Sequence, residues 1–162
     1  MEQKIPEHVK EQFKGIFISD FSGKYLVQVK FDEEISTELL SSFISGLAMF
    51  GKEAIGNIEE ILIKGLGLEV FVVQNHGLIL TCIFSEAMPK ENIRKEAELA
   101  LASFIERYAT ELECWDGCVD TFRDFEQMLS EQIVNYFERV STTPEIKSPS
   151  NFWEKFRRLF TR

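Results

Sequence analysis

Two histidines and three cysteines are all that this 162-residue chain offers to metal or nucleophilic chemistry. So short a supply excludes most zinc sites, which need four closely spaced ligands, and leaves little for a Cys–His or Ser–His machine. The odd cysteine count argues against a disulfide framework and for a reducing compartment. No run of about 18 apolar residues exists, so no segment has the length of a membrane-spanning helix. The first residues, Met1 to Glu7, are polar and carry no apolar signal region, so the expected location is cytoplasmic. Four prolines are too few for a proline-rich scaffold, and no repeat is visible.

What is present is a globular balance, 44% hydrophobic and 28% charged, with 15 phenylalanines that a core must absorb. Charge is unevenly spread. Of the net −9, residues 147–162 contribute +4, so the preceding 146 residues carry −13. A body this acidic repels phosphate backbones and is a poor candidate for nucleic acid.

Gly15 to Ser19 reads as a strand, Asp20-Phe-Ser-Gly23 as a turn, and Lys24 to Phe31 as the returning strand of a hairpin. A helix is expected from about Ser36, its candidate N-cap, to Phe50, with Leu39, Leu40, Phe43, Ile44, Leu47 and Phe50 forming a buried stripe. Three strands follow, Glu60 to Lys64, Glu69 to Gln74 and Leu78 to Phe84, joined by Gly65-Leu-Gly67 and Asn75-His-Gly77. These short connections favour antiparallel pairing. Continuous apolar runs mark the last two as central strands covered on both faces.

Pro89 sits near the start of a long helix, where its missing amide proton costs nothing, and the helix is striped by Ile93, Ala97, Leu101, Phe104, Tyr108 and Leu112. Cys114-Trp-Asp-Gly-Cys118 breaks it, and a third helix carries Phe122, Phe125, Leu129, Ile133, Tyr136 and Val140. The fold class is α+β: a five-stranded antiparallel sheet in β-β-α-β-β-β-α-α order, one helix on one face and two on the other. Residues 1–140 form the domain. Residues 141–150, with Pro144 and Pro149, form a tether, and residues 151–162 a separate helix.

Candidate chemistry is thin. Gly46 to Lys52 has the spacing of a phosphate-binding loop, but Glu53 stands where Ser or Thr must hold magnesium, and the stretch ends a helix instead of opening one. Gly51 is better read as a helix C-cap. Cys114 and Cys118 have three residues between them, one more than the redox motif, and Cys82, His8 and His76 sit singly in a strand, near the terminus and in a turn, which leaves no set of closely spaced metal ligands. His76 is a turn residue. No catalytic residue, metal ligand or cofactor is expected.

The C-terminal segment is the sharpest feature. On a helix, Phe152, Trp153, Phe156, Leu159 and Phe160 share one face, while Lys155, Arg157, Arg158 and Arg162 largely fill the other. Such a segment suits an anionic membrane surface, a groove on a partner, or the chain's own domain.

The element order, together with two stretches, resembles the longin domain and its roadblock and profilin-like relatives. Gly15-Ile-Phe-Ile-Ser-Asp-Phe-Ser-Gly-Lys-Tyr-Leu26 resembles their opening hairpin, in which a strand ends in Asp-x-x-Gly. Phe104 and Tyr108, then Trp115 and Gly117, then Phe122 and Phe125 resemble the closing helices of longin-like trafficking subunits. The resemblance covers about residues 12–140. It implies a non-catalytic adaptor or regulatory subunit that binds a small GTPase or a related longin or roadblock protein, in small-GTPase regulation or vesicle trafficking. It also implies that the third strand, with Ile61 and Ile63, lies at the sheet's rim. There, with the adjoining first helix, it would form a functional edge able to pair with another chain or a second copy. The competing reading is a PAS-like small-molecule sensor with a ligand cavity in its Phe-rich interior.

Overall fold

The computed structural model describes residues 4–56, 58–65 and 67–142, with only the backbone of 141 and 142. A short helix that the sequence pattern did not reveal, α1 (Glu7–Gln12), runs directly into β1 (Phe13–Asp20). Val9 on α1 is buried in the core, which places this helix against the sheet. The remaining elements are β2 (Tyr25–Lys30), α2 (Thr37–Ala54), β3 (Glu60–Gly65), β4 (Leu68–Asn75), β5 (Leu78–Ser85), α3 (Ile93–Arg107), α4 (Ala109–Glu113) and α5 (Asp124–Thr142). All the strand pairs are antiparallel, in the order β2-β1-β5-β4-β3. β3 and β2 are therefore the two edges.

One face of the sheet, with Ile16, Val29, Phe71, Leu80 and Phe84, packs on α1, α3 and α5. The other, with Val72 and Ile79, packs on Ile44 and Ala48 of α2. This is the expected three-layer arrangement, with β5 buried along all but its last residue. Phe104 anchors the larger core, its ring 5.1–5.2 Å from those of Tyr108, Phe122 and Phe125.

The turn geometries have local causes. Asp20 Oδ1 accepts from the Ser22 and Lys24 amides at 2.9 and 3.2 Å, closing the first turn, and Gly23 adopts φ +88°. His76 and Gly77 both have positive φ, 49° and 78°, the requirement of a two-residue hairpin turn.

Four details depart from the sequence expectations. Pro89 does not open α3; it lies in the preceding loop, where its carbonyl accepts a hydrogen bond from the Tyr136 hydroxyl at 2.9 Å. The expected long helix divides at Tyr108 into α3 and α4. Gly51 is not a cap: α2 continues to Ala54, and a Cβ at Gly51 would fall 1.8 Å from Ile58 Cδ1. Glycine stands there so that the chain leaving α2 can fold back against it. α5 runs to Thr142, two residues into the expected tether. The rest of the tether and the expected helix 151–162, with all its named residues, lie outside the described residues.

Candidate partner-binding face

The buried side of α2 is made of small and hydroxylated residues: Thr37, Ser41, Ser45, Ala48 and Gly51, with Ile44 the one large side chain. Each hydroxyl has a structural task. Ser36 Oγ accepts from the Leu39 amide at 3.3 Å, so it is the N-cap the sequence suggested. Thr37 Oγ1 donates to Gln28 Oε1, and Ser41 Oγ to the Gly23 carbonyl, both at 2.6 Å; Ser45 Oγ donates to the Phe21 carbonyl. These bonds fasten α2 to the first hairpin and let the helix lie close to the sheet.

That close seating turns the expected stripe outward. Of its six members only Ile44 is buried; Leu40 and Leu47 are partly covered, and Leu39, Phe43 and Phe50 are 75%, 54% and 67% exposed. The stripe was read as a sheet-facing surface because apolar residues at helical spacing usually are one. The stripe of small residues beside it, Thr37, Ser41, Ser45 and Ala48 at three- and four-residue steps, is the signal that a second face competes for the sheet.

β3 continues this surface. Ile61 and Ile63 pair with Val72 and Val70 of β4, and pack with Leu40 and Leu47 at the margin of the smaller core, half-buried. On its other side β3 pairs with no strand among the described residues. An antiparallel edge of six residues leaves the amides and carbonyls of about every second residue directed outward. Glu59 and Glu60, at the head of the strand, meet Arg94 of α3 at 3.6 and 3.1 Å. An unpaired ladder edge therefore adjoins a helix that displays two phenylalanines and a leucine. Scattered apolar side chains are ordinary on protein surfaces, but exposed ones on a helix beside an open strand edge make this face the candidate for an interaction surface.

The residues weighed for chemistry are dispersed. Cys114 and Cys118 are exposed free thiols on the break before α5, whose loop is fixed by Trp115 Nε1 donating to the Cys118 carbonyl at 3.1 Å. Lys24 Nζ donates to the Gly117 carbonyl at 3.0 Å and lies 4.9 Å from the Trp115 ring centre. The break and the opening turn are thus tied together. Cys82 is buried in β5, and burial raises its thiol to about 12, which makes it unreactive. His76 is exposed in its turn. Among the described residues no cluster of His, Cys, Asp or Glu could hold a metal ion, and no helix is long and apolar enough to cross a membrane. The cavity between α3, α5 and the sheet, over Cys82 and Phe13, measures about 40 Å³. This is space for a water or two, far below the several hundred Å³ of a typical ligand pocket.

Comparison with known proteins adds the fold. No family model and no curated protein matches the chain. Solved structures do. The Roadblock/LC7 domain from Streptomyces avermitilis aligns with a TM-score of 0.54 at 16% identity, over 67% of this chain and 90% of that one. The gliding protein MglB from Thermus thermophilus aligns at 0.51 and 18%, over 64% and 86%. An MglB described as having a tetrameric arrangement aligns at 0.51 and 17%, over 64% and 85%. The chain has a roadblock/longin-like fold, as its opening hairpin and closing helices implied.

Proposed function

We propose that this protein is a non-catalytic adaptor or regulatory subunit that uses the α2–β3 face to pair with a second subunit of the same fold, either another copy or a related roadblock or longin chain. The pair in turn would engage a small GTPase. The observation that carries the reading is that Ile61 and Ile63 of the open β3 edge pack on the same small core as Leu40 and Leu47 of α2, whose neighbours around the helix, Leu39, Phe43 and Phe50, are exposed. Edge-to-edge pairing would satisfy the outward amides and carbonyls, and the helix side chains would supply apolar burial beside them. Fully burying one Phe or Leu contributes about 1.5–3 kcal/mol, so three partly exposed ones supply only part of a stable association and the strand edge must add to it. The GTPase as client follows from the resemblance and the shared fold. The cavity over Cys82, about 40 Å³, is too small for a buried ligand, and the larger hollows of about 690 and 710 Å³ are lined largely by exposed charged and polar side chains of α5 and its surroundings, so the Phe-rich interior does not favour the sensor alternative.

The test is the association of the full chain across a wide concentration range by sedimentation velocity, beside a Phe43→Asp/Phe50→Asp variant. Both side chains are more than half exposed, so the charges leave the fold intact. Association of the parent, abolished in the variant, supports the face. Equal association of the two places the contact elsewhere. A matched capture of a purified small GTPase, loaded with a GTP analogue or with GDP, then tests the client: no difference from a bead control would remove the GTPase from the account.

A further inference from the structure

The three thiols of this chain are not equivalent. Cys82 is buried in β5 and burial raises its thiol to about 12, so it stays protonated and shielded from an oxidant in solution. Cys114 and Cys118 are exposed free thiols that bracket the break between α4 and the short 3₁₀ turn Val119–Phe122. One follows the last residue of α4 and the other precedes the first residue of the turn. Four residue steps can extend over about 13 Å, well beyond the Cα separation a disulfide accepts, so only a break that folds back can be closed. This one folds back. Gly117 turns at φ +95°, the Cys118 amide donates to Asp116 Oδ1 at 2.9 Å, and the indole of Trp115, the residue after Cys114, reaches the Cys118 carbonyl at 3.1 Å.

The break also bears on α2. Lys24 Nζ, which donates to the Gly117 carbonyl and lies over the Trp115 ring, belongs to the turn that closes the first hairpin. A Cβ on Gly117 would stand 3.3 Å from that Nζ, so glycine keeps room for the lysine. Gly23, the residue before Lys24, accepts from Ser41 Oγ of α2 at 2.6 Å, and Phe21 in the same turn accepts from Ser45 Oγ. One lysine and one turn therefore separate the two thiols from the helix.

We propose that Cys114 and Cys118 form a reversible disulfide on exposure to a hydroperoxide, and that this modification loosens the seating of α2 through Lys24. One thiol, as its thiolate, attacks an oxygen of the peroxide. The O–O bond breaks, a sulfenic acid forms, and the other oxygen leaves as water or an alcohol. The second sulfur then displaces the hydroxyl, which leaves as water, and the S–S bond forms. Two thiols have given two electrons and two protons to one peroxide. A dithiol reductant reverses the step by exchange, and transient bonds of this kind are the ones a reducing compartment tolerates. Closure draws Cys118 toward Cys114 and turns the Gly117 carbonyl and the indole away from Lys24. An effect on subunit pairing rests on the function proposed above; the disulfide itself does not.

The full chain is treated with hydrogen peroxide, alkylated after unfolding, and mapped by mass spectrometry. The expected product has lost about 2 Da in the peptide holding Cys114 and Cys118, keeps Cys82 alkylated, and reverts with dithiothreitol. Bonds that involve Cys82, chains cross-linked to one another, or thiols that stay unjoined overturn the disulfide. Amide exchange reads the path to α2. Peptides covering 20–26 and 37–54 should exchange about fivefold faster in the oxidised chain, the factor that one lost hydrogen bond gives. Lys24→Met should show that faster rate while reduced and no further change on oxidation. Exchange unchanged by the disulfide, or quickened equally in Lys24→Met, overturns the path. With these rates as expected, weaker self-association of the oxidised chain carries the effect to the partner face, whereas unaltered association leaves the modification standing and removes the α2–β3 face from the pairing.

Discussion

Gly23→Ala is the substitution that tests most sharply how α2 is held. Gly23 sits at φ +88°, a conformation that costs an L-residue roughly 1–2 kcal/mol. A methyl there would also stand 3.1 Å from the Ser42 Cα, a backbone atom that cannot swing aside. Relieving the contact means lifting α2 from the hairpin, and the bonds from Ser41 Oγ to the Gly23 carbonyl and from Ser45 Oγ to the Phe21 carbonyl lie in the way. Weakening those two removes about 0.5–1.5 kcal/mol each at most. The expected loss is about 2–4 kcal/mol, or roughly 5–15 °C in Tm for a chain of this size. Gly67→Ala is the control, because Gly67 has φ +82° but no atom within 4 Å of the added methyl. It should show the backbone term alone, and the entropy lost from the unfolded chain is common to both variants. Thermal and urea unfolding followed by far-ultraviolet circular dichroism reads the difference. Equal losses in the two variants would mean that α2 does not press on the turn, and the explanation of its outward apolar face would fail with it.

Two further outcomes concern the core and the loop before α3. The Cys82 thiol is raised to about 12 by burial, so its contribution to stability is complete below the ordinary thiol range and declines as pH climbs toward the folded value, by about 1.4 kcal/mol per pH unit. Urea titrations between about pH 8.5 and 9.5, where most unfolded tyrosines keep their proton, should show a steeper slope in the parent than in Cys82→Ala, and matching slopes would exclude the thiol as its source. Glu69 is 1% exposed and meets Lys90 at 2.5 Å and Lys64 at 3.7 Å, with Oε2 lacking a hydrogen-bond partner among the described residues. Lys90→Met should therefore cost about 1–3 kcal/mol in urea unfolding, with Glu69→Gln/Lys90→Met recovering part of it; no recovery would show that the lysine acts through something other than this carboxylate.

Much of the fold was legible in the chain because its signals are local. Asp20 and Gly23 define a turn by their own chemistry, and the apolar runs of β4 and β5 announce strands covered on both sides. α2 shows where local reading misleads. Leu39, Phe43 and Phe50 have the spacing of a core stripe; the Ser and Thr residues at the same spacing beside them announce a competing face, but that Ser41 and Ser45 bind the backbone of a hairpin distant along the chain is not in the spacing. Gly51 escaped for the same reason, since its necessity comes from Ile58 folding back seven residues later. α1 is six residues long, with one buried side chain, too little for a periodic signal. The candidate face combines both kinds of information: the strand holding Ile61 and Ile63 is local in the sequence and its place at the rim was implied by the resemblance, whereas the exposure of Phe43 and Phe50 beside it came only with the structure.

The central claim is that the open edge of β3, with the outer face of α2, is where this protein meets another subunit. Amide hydrogen exchange of the full chain, followed by mass spectrometry in dilute and concentrated solution, tests it directly, because the opposite sheet edge, β2, serves as an internal reference. The account predicts that peptides covering 60–65 and 37–54 slow their exchange as concentration rises, while those covering 25–30 do not change. Slowing confined to β2, or to the surfaces of α3 and α5, would contradict it.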